Sequence, residues 1–273
     1  MSVRMLHSPA EMLTAERLLQ RVWASRTPPM EFGALTALAH AGSYVAGAFV
    51  PGGSDRSDEL VGCSVGFFGP PAERSLHSHI TGVAPGLAGR GIGMAIKTHQ
   101  RGWCLERGVV VMTWTFDPAI ARNAYFNLAK LGVDVVGYLE DFYGAMDDGL
   151  NVGSPSDRLL VRWDLERAEP APVRAEPAPQ RTEPTAGAPE PVAAVALTVA
   201  EDGSPRVQPV SASTESVLVA VPADMEGLRR SDPALAAVWR LAVREALGGR
   251  LDTGGWRVTR FLASGHYLLR RTA

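Results

Sequence analysis

The sequence predicts an α/β protein built as two units joined by a tether. Three observations carry that prediction. Strand-like and helix-like stretches alternate from the N-terminus to about residue 165. From Glu166 to Val192 there are seven prolines among Ala, Glu and Arg, and no aromatic residue. Beyond that stretch, strand and helix signals resume and continue to the C-terminus. The expected division is therefore a first α/β domain over 1–165, a linker over 166–192 and a smaller α/β domain over 193–273.

Bulk properties narrow the field. The 273 residues are 46% hydrophobic and 21% charged, which is ordinary globular composition. A formal charge of −2 and a pI near 6.3 give no basic field for nucleic acid or an anionic membrane. No apolar run approaches the roughly 20 residues a membrane span needs. The opening Met1-Ser2-Val3-Arg4 turns polar too soon for a secretory core, so a cytoplasmic location is expected. Cys63 and Cys104 cannot make a disulfide framework or a four-ligand zinc site, and they read as buried free thiols.

Each element has its own signal. Val3 to Leu6 is a short apolar run. Ser8, Pro9 and Glu11 supply an N-cap, a first helical position and a capping box for a helix to about Trp23. A shorter helix is expected from Glu31 to Ala39. Strands are expected from Tyr44 to Val50 and Leu60 to Phe68, joined by a turn from Pro51 to Asp55, and from Leu76 to Val83. A glycine cluster follows, then a helix with Ile92, Ile96, His99 and Trp103 on one face, which makes His99 a packed residue. Val109 to Phe116 is the strongest strand signal. Asp117-Pro118 is expected to cap a helix ending at Leu131-Gly132, and Val133 to Tyr138 and Leu159 to Trp163 complete the first unit.

In the linker, Arg167-Ala-Glu-Pro-Ala-Pro recurs from Arg174, as in a solvated, semi-rigid spacer. Past it, a strand from Val217 to Val221 precedes a helix opened by Ser231-Asp232-Pro233 and stopped at Gly248-Gly249. Strands from Trp256 to Leu262 and His266 to Arg270 follow. Three strands and one helix make a thin core, so this unit is expected to pack on the first or on a second copy.

The glycine cluster carries the chemistry. His79 to Ile96 reads strand, glycine turn, helix. Glycines at 89, 91 and 93 let backbone approach a ligand, and the helix start leaves amides unpaired beside a partial positive charge. Such a nest suits a phosphate. Lys97-Thr98 follows Ile96 rather than glycine, so a Walker A loop fails. The G-x-G-x-x-G spacing ends on Met94 or Ile96, so a dinucleotide fingerprint fails as well.

Gly89-Arg90-Gly91-Ile92-Gly93, after a strand ending Gly82-Val83-Ala84-Pro85, resembles motif A of the GNAT N-acyltransferases. The resemblance extends over roughly 1–165, through the strand at Val109 to Thr115 and the helix Arg122 to Gly132 that ends in Lys-Leu-Gly. It implies a mixed, mainly antiparallel central sheet flanked by helices. It also implies a site for acetyl-coenzyme A or another acyl-coenzyme A, succinyl-coenzyme A included, with no metal. Backbone from Val83, Ala84, Ala88, Gly89, Arg90, Gly91, Ile92 and Gly93 would hold the coenzyme, and Asn123 and Phe126 would touch it. Ala88 stands where the family usually has Gln or Arg.

For the transfer, the family commonly draws a base from the strand before the turn. Here His79, then His77, are the candidates, sharing one strand face. A hydrogen-bonded strand histidine with no proton-transfer role is the rival reading of both. Leu128 occupies the family's usual position for an acidic tyrosine, so Tyr125 or Asn127 would stand in, with Tyr138 and Tyr143 as further candidates. Arg122 and Arg158 are available for a carboxylate. The implied activity is N-acylation of a primary amine on a small molecule, an amino acid among the candidates, through a ternary complex, with a homodimer allowed. The alternative is a non-catalytic acyl-coenzyme A-binding or protein-interaction module. The branch with a similar C-terminal extension includes relatives that resemble amino-acid N-succinyltransferases.

Overall fold

A computed structural model describes residues 1–52, 58–144, 146, 148–149, 154–167 and 193–272. Residues 53–57, within the expected turn after Val50, and 168–192, the body of the expected linker, lie outside the described residues. Strands and helices follow in the order β1 (Ser2–Met5), α1 (Pro9–Trp23), α2 (Phe32–His40), β2 (Tyr44–Val50), β3 (Glu59–Phe68), β4 (Ser75–Val83), α3 (Ile92–Leu105) and β5 (Val111–Phe116). Then come α4 (Ala121–Ala124), β6 (Asp134–Leu139), β7 (Arg158–Asp164), β8 (Ala194–Val199), β9 (Pro205–Val207) and β10 (Ser216–Ala220). The chain ends with α5 (Met225–Ser231), α6 (Pro233–Val243), α7 (Gly249–Asp252), β11 (Trp256–Leu262) and β12 (His266–Arg271).

Seven strands form a sheet in the order β1-β2-β3-β4-β5-β7-β6, and five form a second in the order β11-β12-β10-β8-β9. In the first sheet the described registers are antiparallel except for β4 with β5. The mixed, mainly antiparallel sheet and the smaller second α/β part agree with the fold class read from the sequence. No helix among the described residues is long and apolar enough to cross a membrane.

The described chain divides into two compact units, neither of them continuous. One holds residues up to Trp114 with 148–149 and Trp163–Arg167; the other holds Thr115 to Met146, 154–162 and 193–272.

In the first unit, α1 opens as expected. Ser8 accepts from the Glu11 amide at 3.3 Å, and Glu11 accepts from the Ser8 amide at 3.0 Å. Ala24 closes the helix in the left-handed region. Met12, Ala15, Leu18 and Leu19 face a core shared with Leu6, Leu35, Val45, Cys63 and Val65. Cys63 and Cys104 are buried free thiols.

The second unit departs from the sequence reading at three places. Asp117 does not cap the next helix, whose N-cap is Ile120 with no side-chain bond. Instead it accepts from the Ala119 amide at 2.9 Å and pairs with two arginines. Gly248-Gly249 does not stop the helix: a π-helical turn over Arg244–Gly248 carries it into α7. A Cβ at Gly248 would lie 3.0 Å from the Tyr138 ring, so close approach accounts for that glycine. Finally, β8, β9 and α5 enlarge the expected three strands and one helix. Proline and alanine around β8 mute its period, β9 has only three residues, and α5 is a short helix capped by Asp224.

Candidate active site

The parallel pairing of β4 with β5 is short. Ser75, Leu76 and His77 register with Val111, Met112 and Thr113, and no pair is registered beyond them although β4 runs on to Val83. The two strands part like a fork. At the same level β4 carries a bulge: Val65 faces Ile80 and Gly66 faces Ser78, which leaves His79 without a partner in the β3 register. Bulges of this kind re-aim a side chain and end regular pairing.

His77 and His79 share the half-buried face of β4, as their spacing predicts. The His77 Nδ1 is 3.1 Å from the Thr113 hydroxyl at the base of the fork. The Phe67 ring lies 5.5 Å from the His77 ring and 5.7 Å from that of His79. Burial lowers both imidazoles from their ordinary pKa of 6.5, with His79 and Lys97 adding to the effect at His77. Both are therefore neutral at pH 7, the form in which a base accepts a proton.

The opposite face of β4 holds a polar cluster that the sequence reading passed over. Ser78, Lys97 and Gln100 are buried and mutually hydrogen-bonded. The signal available was compositional, since Lys97 and Lys130 are the only two lysines among 27 Lys and Arg residues. His99 is half-buried, with its Nδ1 2.9 Å from the Tyr44 hydroxyl.

The glycine turn joins β4 to α3. Gly91 is the N-cap of α3 at φ +80° with no side-chain cap, and Gly89 is at φ +81°. Only glycine holds such angles without strain. The first helical bond runs from the Ala95 amide to the Gly91 carbonyl at 3.0 Å. The amides of Ile92, Gly93 and Met94 thus precede the helical ladder. Ala88, Gly89 and Arg90 are exposed. Val83 and Ile92 pack their side chains with Ala48, Val61 and Ile96, leaving only backbone to offer a ligand. Ala84 has both backbone groups engaged, donating to Val61 at 2.8 Å and accepting from Leu87 at 3.1 Å.

Asn123, Tyr125, Phe126 and Asn127 belong to the second unit. The helical run from α4 continues as a π-helical turn over Tyr125–Lys130, in which the Leu131 amide reaches back to the Phe126 carbonyl. Asn127 is buried there, while Tyr125, Phe126 and Leu128 are half-buried. Tyr138 donates to the buried Asp157 at 2.7 Å, and Tyr143 lies 3.2 Å from the Thr115 hydroxyl. Arg122 is paired with Glu226. Arg158 is buried and contacts the Asp157 carbonyl and the Met146 sulfur, with no carboxylate in ion-pair contact among the described residues.

No protein-family model matches the sequence, and no curated protein does. Among solved structures, the chain is similar to the ribosomal-protein-S18-alanine N-acetyltransferase from Escherichia coli. There the identity is 13% over 61% of this chain and 95% of that one, with a TM-score of 0.48. It is also similar to a GNAT superfamily phosphinothricin acetyltransferase from Sinorhizobium meliloti in complex with AcCoA, at 17% identity over 60% and 87% of the two chains and a TM-score of 0.47. A ribosomal-protein-alanine N-acetyltransferase from Brucella melitensis gives 18%, 60%, 99% and 0.46 in the same order. Likeness at this level transfers no residue role to this chain.

Proposed function

We propose that the chain is an acyl-coenzyme A-dependent N-acyltransferase of the GNAT kind, taking an acetyl or succinyl donor and acting on a primary amine of a small molecule, with amino acids among the acceptors. The observation that carries this reading is the fork in the first unit. Beyond His77, β4 keeps its pairing with β3 but has no registered partner on its β5 side, and it runs into a glycine turn and an uncapped helix start. That sequence of features suits a long ligand with amides along its length and phosphates at one end. The amides of Ile92 and Gly93 meet the pyrophosphate, Arg90 adds positive charge, and the pantetheine amides pair along β4.

In the ternary complex the amine nitrogen attacks the thioester carbonyl. A carbon–nitrogen bond forms, the carbon–sulfur bond breaks and coenzyme A departs as thiolate. His79, neutral and without a partner in the β3 register, takes the proton released by the amine. Its neighbour His77, held by Thr113, shapes the same face. The thiolate requires a proton in turn; Leu128 occupies the position of the family's tyrosine, so Tyr125 or Asn127 would have to stand in. That replacement favours a second reading, an acyl-coenzyme A binder or interaction module without turnover.

Calorimetry with acetyl-, succinyl- and free coenzyme A on the wild type and on Gly91→Asp tests the fork. The reading expects micromolar binding that the variant loses through charge repulsion and strain at positive φ. No binding to folded wild-type chain overturns it. Thiol release with amines then separates enzyme from binder. His79→Gln is expected to lower kcat by roughly 10²- to 10⁴-fold and to remove an acid limb of kcat/KM lying below about pH 6.5.

A further inference from the structure

Lys97 lies on α3 and is 4% exposed. Its Nζ donates to the Ser78 Oγ at 2.8 Å and to the Gln100 Oε1 at 3.2 Å. The same nitrogen sits 4.0 Å from the centroid of the Trp114 ring and 4.0 Å from the Met112 sulfur. Ser78 donates to the same Gln100 oxygen at 3.0 Å. Among the described residues no carboxylate lies within ion-pair distance of Lys97.

The position of these partners matters more than their number. The last registered pair of β4 and β5 is His77 with Thr113. Ser78 is the next residue of β4, and Trp114 the next of β5. One amine therefore touches the first residue on each arm of the fork, from a helix whose start is the glycine turn.

We propose that Lys97 is a positioning residue that sets the opening of the β4–β5 fork by bridging the first residue of each arm. The proposal rests on reading that fork as the acyl-coenzyme A slot, and its first test does not. Protonated, the amine has three N–H groups for three neighbours: the Ser78 hydroxyl, the Gln100 carbonyl and the face of Trp114. Neutral, it has two, and the attraction to the indole face is lost. Burial opposes the charge and brings the Lys97 pKa down from 10.5 to about 7, so both forms are accessible near neutrality. An arginine in its place would stay charged throughout.

The groups facing the amine are few. On α3 they are Gln100 and Cys104, whose thiol burial pushes up to about 12, so it stays protonated. On β4 it is Ser78; His77, on the other face of that strand, is near enough for Lys97 to help lower its imidazole. On β5, Met112 and Trp114 do not titrate. Among the described residues no carboxylate in ion-pair contact competes for control of the proton.

The full chain carries two lysines, so ¹³C-lysine labelling gives two side-chain signals, and Lys97→Met assigns them. Without ligand, the Lys97 signal is expected to titrate with a midpoint near 7. The Trp114 indole signal, assigned with Trp114→Phe, is expected to move with the same midpoint. Acetyl-coenzyme A affinity, measured by calorimetry across the same range, is expected to weaken about tenfold above that midpoint, the scale of one lost charge-assisted contact. In Lys97→Met that dependence is flat.

A Lys97 signal titrating near its ordinary value overturns the proposal, as does a folded Lys97→Met with the wild-type pH profile of binding. If Lys97→Met does not fold, Ser78→Ala decides: weakened affinity with a displaced Lys97 midpoint supports the bridge, and wild-type values for both overturn it. If coenzyme A does not bind at all, the transferase reading falls and the indole signal alone judges the bridge. Movement with Lys97 sustains it, and a static indole ends it.

Discussion

Lys97 in the first unit and Arg240 in the second are both buried cations on helices, but their company differs. Lys97 is surrounded by a hydroxyl, an amide, an indole and a thioether. Arg240, 0% exposed, grips both oxygens of Asp117 at 2.8 and 2.6 Å, and Arg229 joins the same carboxylate. Burial alone would raise the Asp117 pKa, but Arg240 and Arg229 overcome it and hold the carboxyl well below the usual range. The arginine site is thus fixed in charge at any ordinary pH, while the lysine site is poised to change. A carboxylate partner makes a buried cation structural, and its absence makes one responsive.

The largest expected effect tests the fixed site. Asp117→Asn leaves Arg240 without its counter-charge in a closed environment and is expected to cost about 3–5 kcal/mol in denaturant unfolding. The wild type should show the same dependence in acid. Because the folded pKa is depressed, the stability from Asp117 is complete above its unfolded value of about 3.9 and is lost as the pH falls through and below that value. Unfolding unaltered by the substitution would erase the contrast between the two sites.

Next in size is the responsive site. The folded Lys97 pKa lies below the unfolded one, so between about 7 and about 10.4 the unfolded chain holds a proton that the folded chain does not. Stability attributable to Lys97 therefore rises with pH across that window, by up to about 1.4 kcal/mol per pH unit. The difference in stability between wild type and Lys97→Met isolates this slope from other groups. A difference independent of pH would place Lys97 with the fixed cations.

Much of this was readable in the sequence where a local signal existed. The capping box fixes α1, the alternation of β4 puts both histidines on one face, and the spacing of Gly89 and Gly91 places positive φ at the start of α3. What escaped reading depends on partners distant in the chain. Asp117-Pro118 is a good local capping signal, yet the carboxylate is claimed by arginines more than 100 residues away. Gly248-Gly249 looks like a helix stop because nothing nearby reveals the Tyr138 ring it packs against. The bulge at His79 is a property of the β3 register and has no mark in the sequence of β4 alone.

A smaller effect sharpens the comparison within the second unit. The buried Asp157 is held by Arg244 at 3.0 and 2.5 Å and by the Asp141 amide at 3.1 Å, besides the Tyr138 hydroxyl. Tyr138→Phe removes one neutral donor from a carboxylate that keeps its cation. The expected cost is about 1 kcal/mol, well short of that at Asp117. A loss as large as that of Asp117→Asn would mean that the hydroxyl, rather than the guanidinium, satisfies Asp157.

The smallest effect belongs to an ion pair of the same chemistry in water. Arg122 pairs with Glu226, but the arginine side chain is 66% exposed. Solvent already satisfies the guanidinium, so Arg122→Ala is expected to change stability by no more than about 1 kcal/mol, and by less at high salt. Urea titrations at low and high salt check this. Burial is what separates Arg122 from Arg240, because the residue types and their partners are alike. If the two substitutions cost the same, the carboxylate rather than the closed environment would set the energy, and the argument for a poised Lys97 would lose its physical basis.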